Sequence, residues 1–320
     1  MESLYTLLRR IVLTAALGLL APLQAHADCA AASPLPAAFG PVTSFDVRNQ
    51  AQSTSSSNSG VTCGGALAAF LVIGNHIYGT ISSATGGKMV GPTGDTIPYT
   101  LYADKNYTTQ LNPGTQYDWA STQFLSFLGL GGGSSAPLPL YLRTTIGSNV
   151  AAGTYTDMLT INWSWHVCSG IGVIVCLGWS NGSTIVTVPV TLTVSNDCMI
   201  NAPNVSFGAA PTVASFAPVN GSLSLTCTKG MVYTVGLSPG NNAAANGRRQ
   251  MASGANRLQY DLYSAGGSTV WGQATNRVSS PGAADGQSVQ AFPYVARIYT
   301  DQPTPPVGTY TDSVIVDVRY

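Results

Sequence analysis

Alternation of apolar and polar residues dominates the chain after residue 27, in short runs separated by clusters of Gly, Asn, Pro and Ser. A period of two with one apolar face is typical of a half-buried β-strand. The run at the C-terminal end shows it most clearly, and its apolar face contains Tyr310, Val314, Val316, Val318 and Tyr320. Helical periodicity is absent from this part of the sequence. The pattern therefore predicts an all-β protein.

The sequence contains an internal duplication. Its matching pairs are residues 153–157 with 308–312 (Gly-Thr-Tyr-Thr-Asp in both), Phe39 with Phe207, Met89 with Met251 and Tyr99 with Tyr260. The matches run in the same order in both copies, and a period this long indicates two domains and not a solenoid. We predict two tandem immunoglobulin-like β-sandwiches. Asp157 and Asp312 close the repeated motif, which favours a structural role for both.

The first copy continues beyond the point at which the second copy stops. Residues 184–194 form a long alternating run with Val186, Val188, Val190, Leu192 and Val194 on one face, and Pro189 indicates that this strand lies at a sheet edge. A sandwich without this strand has an open groove and an unpaired edge. Either another subunit supplies the strand, or the second domain is a complete sandwich with fewer strands.

The N-terminus is typical of a secretory signal peptide. Arg9 and Arg10 precede the apolar run of residues 11–20, and Ala25-His26-Ala27 is a cleavage motif. We predict a signal peptide at 1–27, an N-terminal domain at 28–196 and a C-terminal domain at 197–320. Cleavage leaves no free segment ahead of Cys29, so we expect a chain that accepts a strand but cannot donate one.

Composition excludes several classes of function. Charged residues make up 8% of the chain and the formal net charge is zero, so no basic surface for nucleic acid is expected. His76 and His166 are the histidines that follow the signal, and no Gly-x-Ser-x-Gly motif is present. The carboxylates are scattered through turns and strand ends. We therefore expect no enzyme activity, no cofactor and no metal site.

The six cysteines all follow the signal peptide, and an even number in an exported chain predicts disulfides. The duplication aligns one pair in each copy and leaves a third pair in a short hairpin of the first copy. The predicted bridges are Cys29–Cys63, Cys198–Cys227 and Cys168–Cys176.

Two apolar segments of the first copy have no counterpart in the second. They are candidates for surface-binding loops, because exposed apolar patches mark interaction sites. The candidate residues are Phe124, Leu125, Phe127, Leu128, Leu130, Ile171, Val173, Ile174, Val175 and Leu177. The alternative for the first segment is an interior strand that turns at residues 131–133. Trp163 and Trp165 fall on the apolar face of their run, which predicts core packing.

The second copy resembles the spore coat protein U domain over residues 197–320. The motifs that carry the resemblance are Cys198, Phe207-Gly208, Cys227-Thr228, Tyr233, Arg249-Gln250-Met251, Leu258-Gln259-Tyr260, Leu262-Tyr263, Trp271-Gly272 and residues 308–312. The first copy resembles a divergent version of the same domain.

This resemblance implies a subunit of an archaic, Csu-type chaperone–usher pilus. Two tandem modules are similar to its tip adhesin, which has an adhesin domain followed by a pilin domain that lacks its last strand. The family implies a periplasmic chaperone, an outer-membrane usher and the donor strand of the next pilin as partners. It also implies export to the cell surface, and attachment and biofilm formation through hydrophobic loop tips. The surface that is bound stays unknown, and a secreted coat or matrix protein with two complete modules is the alternative.

Overall fold

The structure is a computed structural model that describes residues 29–31, 33–57, 59–63, 74–121, 139–168, 176 and 178–320, with the backbone alone for Cys29, Thr62 and Cys63. Over these residues the regular secondary structure is almost entirely β-strand, as the alternating pattern predicts. The first sandwich (residues 29–195) contains β1 (Cys29–Ala31), β2 (Ala37–Thr43), β3 (Ser53–Ser56), β4 (Val61–Cys63), β5 (His76–Ser83), β6 (Lys88–Val90), β7 (Thr96–Tyr102), β8 (Gln110–Leu111), β9 (Gln116–Asp118), β10 (Leu140–Thr144), β11 (Gly153–Cys168) and β12 (Trp179–Ser195).

The second sandwich (residues 198–320) repeats this plan with fewer strands. It contains β13 (Cys198–Asn201), a 3-10 turn (Val213–Ser215), β14 (Val219–Cys227), β15 (Thr234–Leu237), β16 (Arg249–Ser253), β17 (Asn256–Ser264), β18 (Val278–Ser279), β19 (Gln290–Ile298) and β20 (Val316–Arg319). The predicted domain boundary after residue 196 falls between β12 and β13, and it stays a prediction.

One short helix, α1 (Ser44–Asn49), departs from the prediction that the chain has no helical segment after the signal. Thr43 caps it, because its hydroxyl accepts the Asp46 amide while the Asp46 carboxylate accepts the Thr43 amide. This reciprocal pair satisfies amides that the start of a helix leaves without partners. Six residues are too few to show a helical period, so the cap was the signal to look for.

The first sandwich closes around a single hydrophobic core. Ten strands form one sheet in the order β2-β12-β11-β6-β7-β10-β3, with β5 beside β11, β9 beside β5 and β8 beside β7, and the sheet curls around this core. The inward face of β11 is buried at Tyr155, Leu159, Ile161 and Trp163, and Trp165 packs partly buried against the same core. The core position predicted for both tryptophans is confirmed.

The second sandwich packs a five-stranded layer, β13-β14-β19-β17-β16, against a three-stranded layer, β18-β15-β20. Trp271 and Phe292 lie at the centre of its core and are 0% and 2% exposed. The Trp271 indole nitrogen donates to the Val235 carbonyl at 2.8 Å, so the ring links the two layers without leaving its polar atom unpaired.

The repeated motif has the same structural role in both sandwiches. The Tyr99 hydroxyl donates to the Asp157 carboxylate at 2.6 Å, and the Tyr260 hydroxyl donates to the Asp312 carboxylate at 2.8 Å. Burial and the hydrogen bond to a carboxylate raise the pKa of both tyrosines, so both stay neutral donors. The structural role predicted for Asp157 and Asp312 is confirmed.

Two of the three predicted disulfides are confirmed. Cys168 is bonded to Cys176, and Cys198 is bonded to Cys227 across β13 and β14. In the first sandwich the backbone of Cys29 lies opposite that of Cys63 in the β1–β4 pair. The side chains of these two residues lie outside the described part, so the third bridge stays a prediction. The signal peptide at 1–27 also lies outside the described residues.

Polar contacts join the two sandwiches. They include side-chain hydrogen bonds from Ser44 to Thr228 (2.7 Å), Arg48 to the Gly286 carbonyl (2.5 Å), Asn149 to the Asp285 carbonyl (2.9 Å) and Lys229 to Asp95 (2.5 Å). Burial of Asp95 disfavours its charged form, but hydrogen bonds from Lys229, the Ala151 amide and Thr93 outweigh it and lower the pKa of Asp95.

The substitution Lys229→Met should raise the pKa of Asp95 toward its ordinary value near 4. In the native protein the lowered pKa of Asp95 stabilises the fold at pH values above its ordinary pKa. This stabilisation is lost as the pH falls through the lowered pKa. Because Lys229 is partly exposed, we expect a loss below about 1 kcal/mol at neutral pH. Titration of the Asp95 carboxyl by NMR checks this. Lys88→Met, at an exposed lysine outside the interface, is the control. An unchanged Asp95 titration in the Lys229 variant would contradict the interpretation.

Candidate functional site

The last strand of the first sandwich shows what a complete module of this fold contains. β12 pairs with β11 along its whole length and also pairs in parallel with β2 from Val190 onward. Its inward residues Val188, Val190, Leu192 and Val194 are at most 2% exposed. β12 therefore covers the core between β2 and β11 and is an interior strand over its second half.

Pro189 lies at the position just before β12 gains its second neighbour. Its nitrogen carries no hydrogen to donate, and no hydrogen bond is needed where β2 has not yet begun. The prediction of an edge strand is therefore correct locally at Pro189 and wrong for the strand as a whole.

The second sandwich leaves the position of β12 open. β20, the counterpart of the middle of β11, pairs with β15 on one edge. No strand within the described chain pairs with the other edge of β20. Residues 205–211, which align with β2 through the Phe39–Phe207 match, form no ladder either. The backbone groups on both sides of this position therefore lack strand partners.

Two adjoining cavities of 490 and 530 Å³ occupy the position between these segments. Together they form the open groove, which runs between residues 202–216 and residues 304–316. Its apolar lining includes Val205, Phe207, Val213, Phe216, Leu223, Leu237, Met251, Leu258, Tyr260, Leu262, Tyr294, Tyr310, Val314 and Val316. Several of these residues belong to the hydrophobic core, so the groove exposes core surface.

Residues 304–316 form the C-terminal wall of the groove. Hydrogen bonds along one edge of this wall hold it in place. Thr311 exchanges backbone hydrogen bonds with Ala252, and the Ser238 amide donates to the Ile315 carbonyl at 2.9 Å. The Ser238 hydroxyl accepts the Ile315 amide at 2.8 Å. The Tyr260–Asp312 bond fixes the turn between them. The wall is therefore ordered although its second edge is free.

Arg277 fastens β20 to β15. Its guanidinium donates to the carbonyl and the hydroxyl of Thr234 and to the carbonyl and the carboxylate of Asp317, at distances between 2.5 and 3.0 Å. Its side chain is 10% exposed. A planar fork with several donors suits such a set of acceptors. The contact fixes the edge of β20 that pairs with β15, which is the edge away from the groove.

The predicted groove residues are mostly found at the groove. Tyr310, Val314 and Val316 line it, and Val318 packs partly buried against the same core. Tyr320 differs, because β20 ends at Arg319 and the ring of Tyr320 is 73% exposed and outside the lining. Sequence alternation extended the strand face one residue too far.

The groove offers two kinds of interaction to a ligand. The free backbone edge of β20 presents amide and carbonyl groups at strand spacing, and the cavities present apolar surface for alternate side chains. This is the arrangement that takes up an extended apolar peptide by β-strand addition. The described residues contain no group of three or more His, Cys, Asp or Glu side chains placed to hold a metal ion.

The predicted binding loops start from the end of the first sandwich that lies far from the second. Cys168 pairs with Trp179 at that end, about 50 Å along β12 from the junction at Ser195, since a strand rises about 3.3 Å per residue. The candidates Phe124, Leu125, Phe127, Leu128, Leu130, Ile171, Val173, Ile174, Val175 and Leu177 lie outside the described residues.

The described residues beside these segments are partly exposed aromatic and histidine side chains. Trp179 is 41% exposed and stacks on His166 with ring centres 4.1 Å apart, while His76 stacks on Tyr78 at 5.1 Å. A third apolar run, at residues 64–73, follows Cys63 in the sequence and lies outside the described residues.

The fold and the groove define a tandem pair of immunoglobulin-like sandwiches whose second member lacks its last strand. The chain belongs to the Spore Coat Protein U domain family, whose model matches residues 14–162 and 184–317. The family resemblance and the tandem duplication are confirmed.

A solved structure shows the same fold. The chain is similar to one in the CsuC–CsuE chaperone–tip adhesion subunit pre-assembly complex from archaic chaperone-usher Csu pili of Acinetobacter baumannii, with 23% identity and a TM-score of 0.62, covering 91% of this chain and 100% of that one. It also matches the CupB6 tip adhesin from Pseudomonas aeruginosa, with 12% identity, a TM-score of 0.34 and coverage of 91% and 94%. No curated protein matches in sequence.

The proteins that the chain matches by family and fold are structural or adhesive subunits and not enzymes, in agreement with the predicted lack of catalytic activity. No helix in the described part of the chain is long and apolar enough to cross a membrane.

Arg277→Met should destabilise the second sandwich by about 2 kcal/mol, because it leaves the acceptors on Thr234 and Asp317 without their charged donor. Local opening should also speed hydrogen exchange at the amides of Val316 and Val318. Arg319→Met is the matched control, since Arg319 also pairs with Asp317 but is 54% exposed. Equal effects of the two substitutions on unfolding and on exchange would show that Arg277 does not fasten the strand.

Proposed function

We propose that the protein is the tip adhesin subunit of an archaic, Csu-type chaperone–usher pilus. In this proposal the second sandwich is the pilin module that is completed by the donor strand of the next subunit. The first sandwich is the adhesin module that mediates attachment and biofilm formation. The domain limits of the proposal are 28–196 and 197–320, behind a signal peptide at 1–27.

The observation that carries the proposal is the open groove. The same chain contains a filled version of this position, in which β12 covers the first core, and an open version, in which core residues of the second sandwich line cavities. A free strand edge beside exposed core surface is an aggregation hazard in a monomer. An incoming strand removes both features at once, which makes strand addition the function that the geometry supports best.

The partners follow from the same chemistry. A subunit with this groove requires temporary cover during export, which is the role of a periplasmic chaperone, and then a donor strand delivered at an outer-membrane usher. The solved complex that the chain resembles contains a chaperone bound to a tip adhesion subunit, which supports a chaperone partner. We place the assembled protein at the cell surface, at the pilus tip.

The proposed surface-binding site is the end of the first sandwich opposite the junction. In the sequence the apolar run at 124–130 follows β9 and the run at 171–177 follows β11, and the Cys168–Cys176 bridge restrains the second of them. A restrained loop loses less conformational entropy on binding than a free one. We propose that Phe127, Val173 and Ile174 make contact with an apolar surface.

A copy of residues 182–195 joined to Tyr320 by Asn-Gly should complete the second sandwich in cis. Tyr320 aligns with Trp165, whose partner in β12 is Gly182, so a two-residue turn sets the register. Burial of four to five apolar side chains should raise the unfolding temperature of the second sandwich by at least about 10 °C. Thermal unfolding of the full chain, with and without the addition, measures this.

The control is the same addition with Asp at the positions copied from Val188 and Val190, which cannot enter an apolar groove. We expect no rise in unfolding temperature for the control. A native chain whose second sandwich already unfolds cooperatively as a monomer and gains nothing from either addition would favour a coat or matrix protein with two complete modules.

Serine substitutions at Phe127, Val173 and Ile174 should abolish attachment to a hydrophobic surface while pili still assemble. The expected loss follows from the removed apolar contact area. Ile185→Ser is the matched control, because Ile185 is 66% exposed on β12 away from the loops. Attachment by cells and surface pili by electron microscopy are measured together. Unchanged attachment by the triple variant would remove these loops from the proposal.

A further inference from the structure

A buried ion pair in the five-stranded layer of the second sandwich also contacts the opposite layer. Arg249 in β16 and Asp261 in β17 lie 2.7 Å apart, and each side chain is 3% exposed. The Arg249 guanidinium also donates to the carbonyls of Leu237, Ser238 and Trp271 at 2.8 to 2.9 Å. Leu237 belongs to β15 of the opposite layer, so the guanidinium sets the spacing between the layers at this point.

The ion pair is connected to the open groove by two routes. Leu237 lines the groove, and the next residue, Ser238, holds the C-terminal wall through both of its bonds to Ile315. On the other side, Tyr260 is the neighbour of Asp261, lines the groove and donates to Asp312. The Asp261 carboxylate is itself held by the Tyr299 hydroxyl at 2.8 Å.

The complete sandwich of the same chain does without this pair. The matches of Met89 with Met251 and of Tyr99 with Tyr260 align Arg249 with Gly87 and Asp261 with Thr100. The buried polar residues of the first sandwich, over its described part, include no arginine or lysine. The ion pair is therefore present in the module that has the open strand position and absent from the module in which β12 fills it.

Stability alone does not account for a buried ion pair in a sandwich that already lacks a strand. Charges are costly to remove from water, and well-packed apolar residues in their place are often neutral or stabilising. Exposed core surface, by contrast, drives the two layers of an incomplete sandwich toward each other. Directional bonds from one guanidinium to three carbonyls and a carboxylate oppose that movement, because approach of the layers breaks their geometry.

We propose that Arg249 and Asp261 are positioning residues that hold the groove open for an incoming strand. The inference rests on the proposed function of the groove. It predicts that the pair contributes to strand uptake and not to the stability of a completed sandwich.

The test compares the native full chain with the double substitution Arg249→Met and Asp261→Leu. The probe is a fluorescent synthetic peptide of residues 182–195, the strand that fills this position in the first sandwich. If the variant leaves a tenth of the molecules with an open groove, its apparent affinity for the peptide falls about tenfold. In chains with the same residues joined to Tyr320, the variant should unfold within a few degrees of its parent.

Arg248→Met with Asp301→Leu is the matched control. Arg248 is the sequence neighbour of Arg249, and it lies 2.7 Å from Asp301, the same distance that separates Arg249 from Asp261. The Asp301 side chain, however, is 60% exposed. We expect the control to bind the peptide as the native chain does.

Each other outcome overturns the proposal. Equal affinity of native chain and variant refutes the positioning role and leaves the proposed function intact. A variant that fails to fold even with the added strand shows that the pair is needed by the completed sandwich as well. A native chain that does not bind the peptide removes the proposed strand uptake and the positioning role together.

Discussion

This structure is governed by the backbone hydrogen-bonding requirement at one strand position, the position that β12 fills between β2 and β11 in the first module. In the first sandwich β12 meets it, with β11 on one edge and β2 on the other, and its valines complete the core. In the second sandwich the same two walls are present without that strand. An unpaired strand edge beside exposed core surface favours pairing with another chain. The two modules therefore differ in this property although they share one strand arrangement.

Polar groups compensate for the missing strand in the second sandwich. The Tyr260–Asp312 bond repeats the Tyr99–Asp157 bond of the first sandwich, and therefore belongs to the plan of the module. Within the described part of the first module, the Arg249 guanidinium and the Arg277 fork have no such counterpart at Gly87 or among the buried residues. Hydrogen bonds of fixed direction keep a shape that hydrophobic contact, which has no direction, does not specify.

The two ends of the tandem have different environments. The loop after Cys227 carries Thr228 and Lys229, which contact the base of the first sandwich. The corresponding place in the first module follows Cys63, and the apolar residues 64–73 that come next in the sequence lie outside the described residues.

Local and repeated features were determined by the sequence itself. They are the all-β class from period-two alternation, the tandem plan from Gly-Thr-Tyr-Thr-Asp at 153 and 308, the Cys198–Cys227 bridge from the aligned cysteines and the Cys168–Cys176 bridge from the pair left in a short hairpin. Alternation reports which face of a strand is buried, but not which strands become neighbours or where a strand ends. Tertiary structure alone therefore decided that β12 is interior beyond Pro189, that Tyr320 lies outside the groove, and that Arg249 meets Asp261. The capped helix at Ser44 and the junction contacts depend on residues far apart in sequence or on a single turn, for which periodicity gives no signal.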